Sequence, residues 1–223
     1  MIFFLNIIGV FLLLCIHAKV VGEKLHLKKV VMSIILFHLL SFLFIVLFKS
    51  TEFYFLGSLL IYPTFFILYT LSIGELRSKV SLLLFYSLFP LGLWDVIKNF
   101  LGYFVIAKIP ILQSLYETNF GIMIFSLLAK IIVLFLISIF QYNFSHLKIK
   151  NLDRKTKFIL ITADILMLVY FILPPYMNYI DKVSWDRMLD YKELLTAVYF
   201  LLFICFVNLL DRKLLQELQD KIV

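Results

Sequence analysis

The chain has 223 residues, 63% of them hydrophobic, with a mean hydropathy of +1.04 and a formal charge of +7. Soluble domains carry roughly 45–50% apolar residues, so the length accommodates one polytopic membrane domain rather than two soluble ones. The basic excess falls in short loops between apolar runs, the pattern of topology signals, which excludes nucleic acid as the partner.

A transmembrane helix needs about 20 mostly apolar residues at ~1.5 Å each. Seven stretches meet that length, at about 2–21, 30–48, 55–73, 80–106, 120–141, 158–175 and 193–210. The first is a retained span rather than a signal peptide, because no basic residue precedes it and no small-residue cleavage site follows it. The fourth is long enough that it must tilt, kink at Pro90 or emerge from the bilayer. Pro174-Pro175 closes the sixth, as expected where a helix is meant to stop. Cys15 and Cys205 lie inside apolar spans, and no disulfide framework is expected of them.

Orientation follows from the loops. Lys24, Lys28, Lys29, Arg77, Lys79, Lys148, Lys150, Arg154, Lys155, Lys157, Arg212, Lys213 and Lys221 share one side, against Lys49, Lys108, Lys182, Arg187 and Lys192 on the other. The positive-inside rule puts the richer set in the cytoplasm. The expected fold is therefore all-α, a seven-helix polytopic membrane protein with its N-terminus outside and its C-terminus cytoplasmic. The outer loops hold Glu52, Glu117, Asp181, Asp186, Asp190 and Glu193, interleaved with Tyr54, Tyr116, Tyr176, Tyr179, Trp185 and Tyr191. That composition reads either as an interfacial aromatic belt with solvated acids or as a mildly acidic, apolar mouth for a cationic amphipathic ligand.

Charge inside a membrane is expensive and marks functional candidates. Asp95 and Lys98 sit three apart on the fourth span, on one face and close enough to pair. Lys130 lies near mid-depth in the fifth span, and Asp164 lies roughly 9 Å into the sixth. A snorkelling Lys130 is expected to reach Asp164 or Asp95. These residues serve either as neutralised packing pairs or as a polar switch that a ligand rearranges. A proton or ion pathway is weaker, since Gly totals seven and Pro63 and Pro90 do not occupy matching halves of a repeat.

Catalytic chemistry is not expected. Cys15 and His17 are two apart on a helix and face different sides. His26, His38 and His146 are isolated, no histidine pair has the spacing of a helical metal site, and there is no Gly-rich phosphate loop. No cofactor or metal is implied. Toward the end of the sequence, Leu215, Leu218 and Ile222 follow the spacing of a coiled-coil seam, with Glu217 and Lys221 paired at i,i+4. A short amphipathic stub on the inner leaflet would look similar. The absence of Gly and Pro from residues 194–223 favours a rod that transmits motion.

Within residues 55–106, Tyr62-Pro63-Thr64-Phe65-Phe66-Ile67-Leu68-Tyr69 is followed by Ser81-Leu82-Leu83-Leu84-Phe85-Tyr86-Ser87-Leu88-Phe89-Pro90 and then Asp95. Asp153-Arg154-Lys155-Thr156-Lys157 and Met167-Leu168-Val169-Tyr170-Phe171 come later. On these motifs the chain resembles the N-terminal membrane sensor domain of peptide-pheromone receptor histidine kinases of Gram-positive bacteria. These are the competence, bacteriocin-inducing and accessory-gene-regulator types. The resemblance implies a homodimeric, multi-pass plasma-membrane receptor that binds a secreted peptide outside and signals through its last helix to a kinase. The sequence departs from the family in having no histidine after His146 and no nucleotide-binding motif, so it is not expected to be an enzyme.

Residues 1–210 are thus expected to form the sensor domain, and 211–223 the start of a cytoplasmic signalling helix. The expected ligand-binding residues are Asp95, Lys98, Tyr54, Glu117, Trp185 and Asp186, with Lys130 and Asp164 as intramembrane polar residues. The expected partners are a cationic amphipathic extracellular peptide, membrane lipids, and a second copy or a partner kinase. A small transporter or substrate-capture subunit, or a bacteriocin-immunity protein, is the alternative.

Overall fold

The computed structural model describes residues 2–49, 54–72, 80–102, 109–116, 118–139, 154–180 and 198. Among these the structure is all-helical: α1 (Ile2–Val21), α2 (Leu27–Phe48), α3 (Tyr54–Leu71), α4 (Val80–Phe100), α5 (Pro110–Tyr116), α6 (Asn119–Ile139) and α7 (Arg154–Ile180). The chain divides into two compact units, 1–171 and 172–223. Among the described residues three helices are long and apolar enough to cross a membrane, over Phe3–Val21, Leu27–Phe48 and Asn119–Ile139, which marks a membrane protein. Shorter apolar stretches run over Ile61–Leu71 and Leu160–Val169. In hydrocarbon every backbone polar group must find a partner within the segment, and continuous Leu, Ile and Phe runs meet that demand as helices.

The helix ends carry local signals. After α1, Gly22 takes φ 71°, a left-handed conformation that suits a residue without Cβ. The Glu23 N–H then reaches the Ala18 carbonyl at 2.9 Å and the Gly22 N–H the Lys19 carbonyl at 3.3 Å, the paired bonds of a Schellman stop. Thr118 caps α6: its hydroxyl accepts from the Gly121 N–H at 3.0 Å and donates to the Leu115 carbonyl at 2.7 Å, tying α5 to α6.

Contacts at two levels fix the helix directions within the first unit. Tyr62 meets Trp94 while Thr70 meets Ser87, so α3 and α4 are antiparallel. Phe37 meets Tyr62 and Phe65 while Lys29 lies over Tyr69, so α2 and α3 are also antiparallel. Gly9 faces Lys130 and Leu127, and Lys19 donates to Ser138 at 2.6 Å, so α1 and α6 run parallel. Helices α1, α3 and α6 therefore point one way, and α2 and α4 the other. The core is aromatic and aliphatic, with Phe65, Phe66, Phe85, Tyr86 and Phe89 fully buried alongside Leu13, Leu14 and Ile16. Much of α2 stays exposed on its outer face, including Met32, Leu39 and Phe42.

Two boundaries differ from the sequence expectation. Helix α4 is α-helical to Phe100 and turns to π geometry over 101–102, residues 103–106 of the expected span lie outside the described residues, and the separate helix α5 occupies part of what reads as loop. Pro174-Pro175 does not close the sixth span, because α7 runs through both prolines to Ile180. Proline's fixed φ is itself helical, and its cost lies in a missing N–H and a clash with the preceding turn. Membrane helices tolerate that loss, as Pro63 inside α3 and Pro90 inside α4 also show.

Candidate ligand-binding site

Two polar clusters occupy the first unit, one at each end of the helix set. The first lies toward the end of α4. Trp94, Asp95, Lys98 and Asn99 follow the i, i+3, i+4 spacing that brings side chains onto one helical face. Lys98 Nζ donates to Asp95 Oδ1 at 2.8 Å, and Asn99 Nδ2 donates to Asp95 Oδ2 at 3.2 Å. Lys98 and Asp95 keep 23% and 13% of their side-chain surface exposed, which leaves this pair at the rim. The Lys98 ammonium lies 5.2 Å from the centre of the Trp94 ring. Tyr62 from α3 adds a second ring, 5.4 Å from Trp94.

Helix α6 supplies Lys130, which is only 3% exposed. Its Nζ donates to Ser126 Oγ at 3.2 Å, one turn back, and sits 4.4 Å from the Trp94 ring centre. Room for it comes from α1: a Cβ at Gly9 would lie 3.0 Å from Nζ and 3.5 Å from Leu127. The energetics are lopsided. Taking an ammonium out of water costs several kcal/mol even after relaxation. A desolvated cation–π contact returns about 2 kcal/mol, and a hydrogen bond from a charged donor about 1.5–3 kcal/mol. These partners offset part of the cost, and among the described residues no carboxylate completes the compensation.

The second cluster, at the opposite end, joins three helices through neutral groups. His17 Nε2 lies 2.9 Å from Thr70 Oγ1, and Ser87 Oγ lies 3.0 Å from the same oxygen. Thr70 donates its one proton to the Phe66 carbonyl at 2.6 Å, which makes His17 Nε2 a donor to it. An imidazole beside a hydroxyl is also the geometry of a base and its nucleophile. Here His17, Thr70 and Ser87 are all buried and Thr70's proton is committed to its own helix, so the cluster is a latch. Beside it, Lys29 pairs with Glu23 at 3.4 Å and lies 5.0 Å from the Tyr69 ring centre.

The residues singled out by sequence fare differently. The pairing of Asp95 with Lys98 is present. Lys130 joins the same cluster through Trp94 and Ser126, not through Asp95 or Asp164. The expected reach of Lys130 to either acid is thus corrected: among the described residues its hydrogen bond runs back along its own helix, and its ammonium lies against the indole face. Asp164 is buried on α7, and neither of its oxygens has a hydrogen-bond partner among the described residues. Tyr54 is the first residue of α3. Glu117, Trp185, Asp186, Leu215, Leu218 and Ile222 lie outside the described residues. Sequence reasoning missed Trp94, Gly9 and the His17–Thr70–Ser87 latch. Trp94 was the most accessible of these, as an indole directly preceding an intramembrane acid. Among the described residues no group of three or more His, Cys, Asp or Glu side chains is arranged to hold a metal. No protein-family model, no curated protein and no solved structure matches this chain.

Proposed function

We propose that this chain is the membrane-embedded receptor module for an extracellular amphipathic peptide, and that the cluster around Trp94 is the floor of its ligand site. In this reading seven helices span the plasma membrane of a Gram-positive bacterium, with the N-terminus outside and the last helix in the cytoplasm. That helix passes the signal to a kinase output in a dimer or a partner. The observation that carries the reading is a buried, charged cluster whose Asp95–Lys98 pair, at one end of the helix set, keeps a minor part of its side-chain surface exposed. That end lies opposite Lys24, Lys28 and Lys29, which the positive-inside rule assigns to the cytoplasm. The alternating directions of α1 to α4 agree with the same assignment.

Peptide contact with Asp95 would compete with Lys98 and Asn99 for its oxygens and so reset α4 against α6. The test is binding of fluorescent cationic amphipathic peptides to the full chain reconstituted in nanodiscs. Asp95→Ala is expected to weaken binding at least tenfold, and Asp186→Ala by a smaller factor. Binding unchanged in both variants would refute the site.

A further inference from the structure

We infer that Lys130 and Trp94 form a seat for a carboxylate carried on an apolar body. The two are the donors that the cluster leaves short of acceptors. An ammonium has three protons to place and an indole one. Lys130 Nζ has Ser126 Oγ as its hydrogen-bond acceptor among the described residues. Trp94 Nε1 is buried with no acceptor among them. Asp95, the acid on the neighbouring turn, is engaged by Lys98 and Asn99.

Charge narrows the ligand further. Among the described residues this cluster sets two lysines, Lys98 and Lys130, against one acid, Asp95, an excess of one basic group. A monoanion balances it, whereas a phosphomonoester with close to two negative charges overshoots. A carboxylate also brings two acceptor oxygens, one for each donor. The ammonium lies 4.4 Å from the centre of the ring whose edge bears Nε1, and the flexible lysine stem lets one carboxylate meet both. The bare backbone of Gly9 lets the Lys130 ammonium pack against α1 beside the indole. Lys98 and Asp95 keep 23% and 13% of their side-chain surface exposed, whereas Lys130 is 3% exposed, so a ligand would enter past that pair. Tyr62 and Leu127 line the surroundings with apolar surface, so the rest of the ligand is hydrophobic.

The inference rests on the receptor reading only for the origin of the carboxylate, either a fatty acid from the membrane or the C-terminus of a peptide. The probe is radiolabelled laurate, bound to the full chain in nanodiscs and corrected against empty nanodiscs. Competitors are unlabelled laurate, dodecanol, and one cationic amphipathic peptide prepared as free acid and as C-terminal amide. Laurate and the peptide acid are expected to compete at least tenfold better than dodecanol and the peptide amide. Lys130→Met is expected to erase that preference, and Lys130→Arg to retain it within about threefold. Neutral competitors that match the acids, or a preference that survives Lys130→Met, would overturn the seat. Should Lys130→Met fail to fold, the comparison of acid with neutral ligand on the unaltered protein decides alone. Laurate competing while the peptide acid does not would uphold the seat and refute the peptide-receptor reading.

Discussion

Thr70 accepts from His17 on α1 and lies 3.0 Å from the hydroxyl of Ser87 on α4, whose proton has the Leu83 carbonyl at 2.7 Å. Thr70→Val keeps the shape and strands the His17 donor in a buried site, at a cost of about 2–3 kcal/mol. Ser87→Ala should cost less than about 1.5 kcal/mol, because it leaves the His17–Thr70 bond intact. Denaturant unfolding in mixed micelles compares the two, and equal losses would show that Thr70 is not the hub. Asp164 makes the opposite case. Its buried carboxylate has no hydrogen-bond partner among the described residues, so Asp164→Asn should stabilise the chain by about 1 kcal/mol or more. A destabilised Asp164→Asn would mean that the ionised form has a partner. At this scale the Asp95–Lys98 pair was legible because both residues lie on one helix at a fixed spacing. The latch was not, since it needs the registers of three helices at once. Lys130 was recognisable as a buried charge, but its partner was a ring rather than an acid, and spacing carries no information about that.

Among elements, the α5–α6 corner depends on one missing side chain. A Cβ at Gly121 would overlap the Leu115 carbonyl, the same group that accepts from Thr118. Gly121→Ala must therefore push α5 away from α6, at about 1–3 kcal/mol. Faster hydrogen exchange over residues 110–116 would register that loss, and unchanged exchange would show that the corner yields without cost. Helices α1, α2 and α6 were legible in the sequence as long apolar runs. Helix α5 was not, because seven residues between spans show no period long enough to read. Pro174-Pro175 misled for a physical reason: a stop rule drawn from helices in water weakens where the alternative to a helix is unsatisfied backbone in lipid.

For the whole molecule, helix direction and loop charge make a joint claim about sidedness. Helices α1, α3 and α6 end, and α2 and α4 begin, at the end that carries Lys24, Lys28 and Lys29. A Lys24→Cys variant, with Cys15 and Cys205 replaced by alanine, should react with an impermeant maleimide only after the cytoplasmic face is opened. A Gln113→Cys variant in the same background should react from outside. Labelling of both from one face would break the topology and the receptor reading with it. This alternation was readable from basic residues alone, whereas the parallel packing of α1 on α6 was not, because loop charge says which side a helix ends on and nothing about its neighbours.

That parallel pairing has a consequence for how the protein is made. Lys19 and Ser138, which meet across α1 and α6, are 119 positions apart. At about 5–20 residues per second, the ribosome delivers the second some 6–24 s after the first. Through that interval the first helix waits in the translocon or the lipid with Lys19 and Gly9 lacking their α6 partners, while Thr70, 53 positions after His17, arrives before the interval is half over. Biogenesis of this fold therefore calls for a holding step, in which an insertase or the bilayer itself shelters the opening helix until α6 emerges.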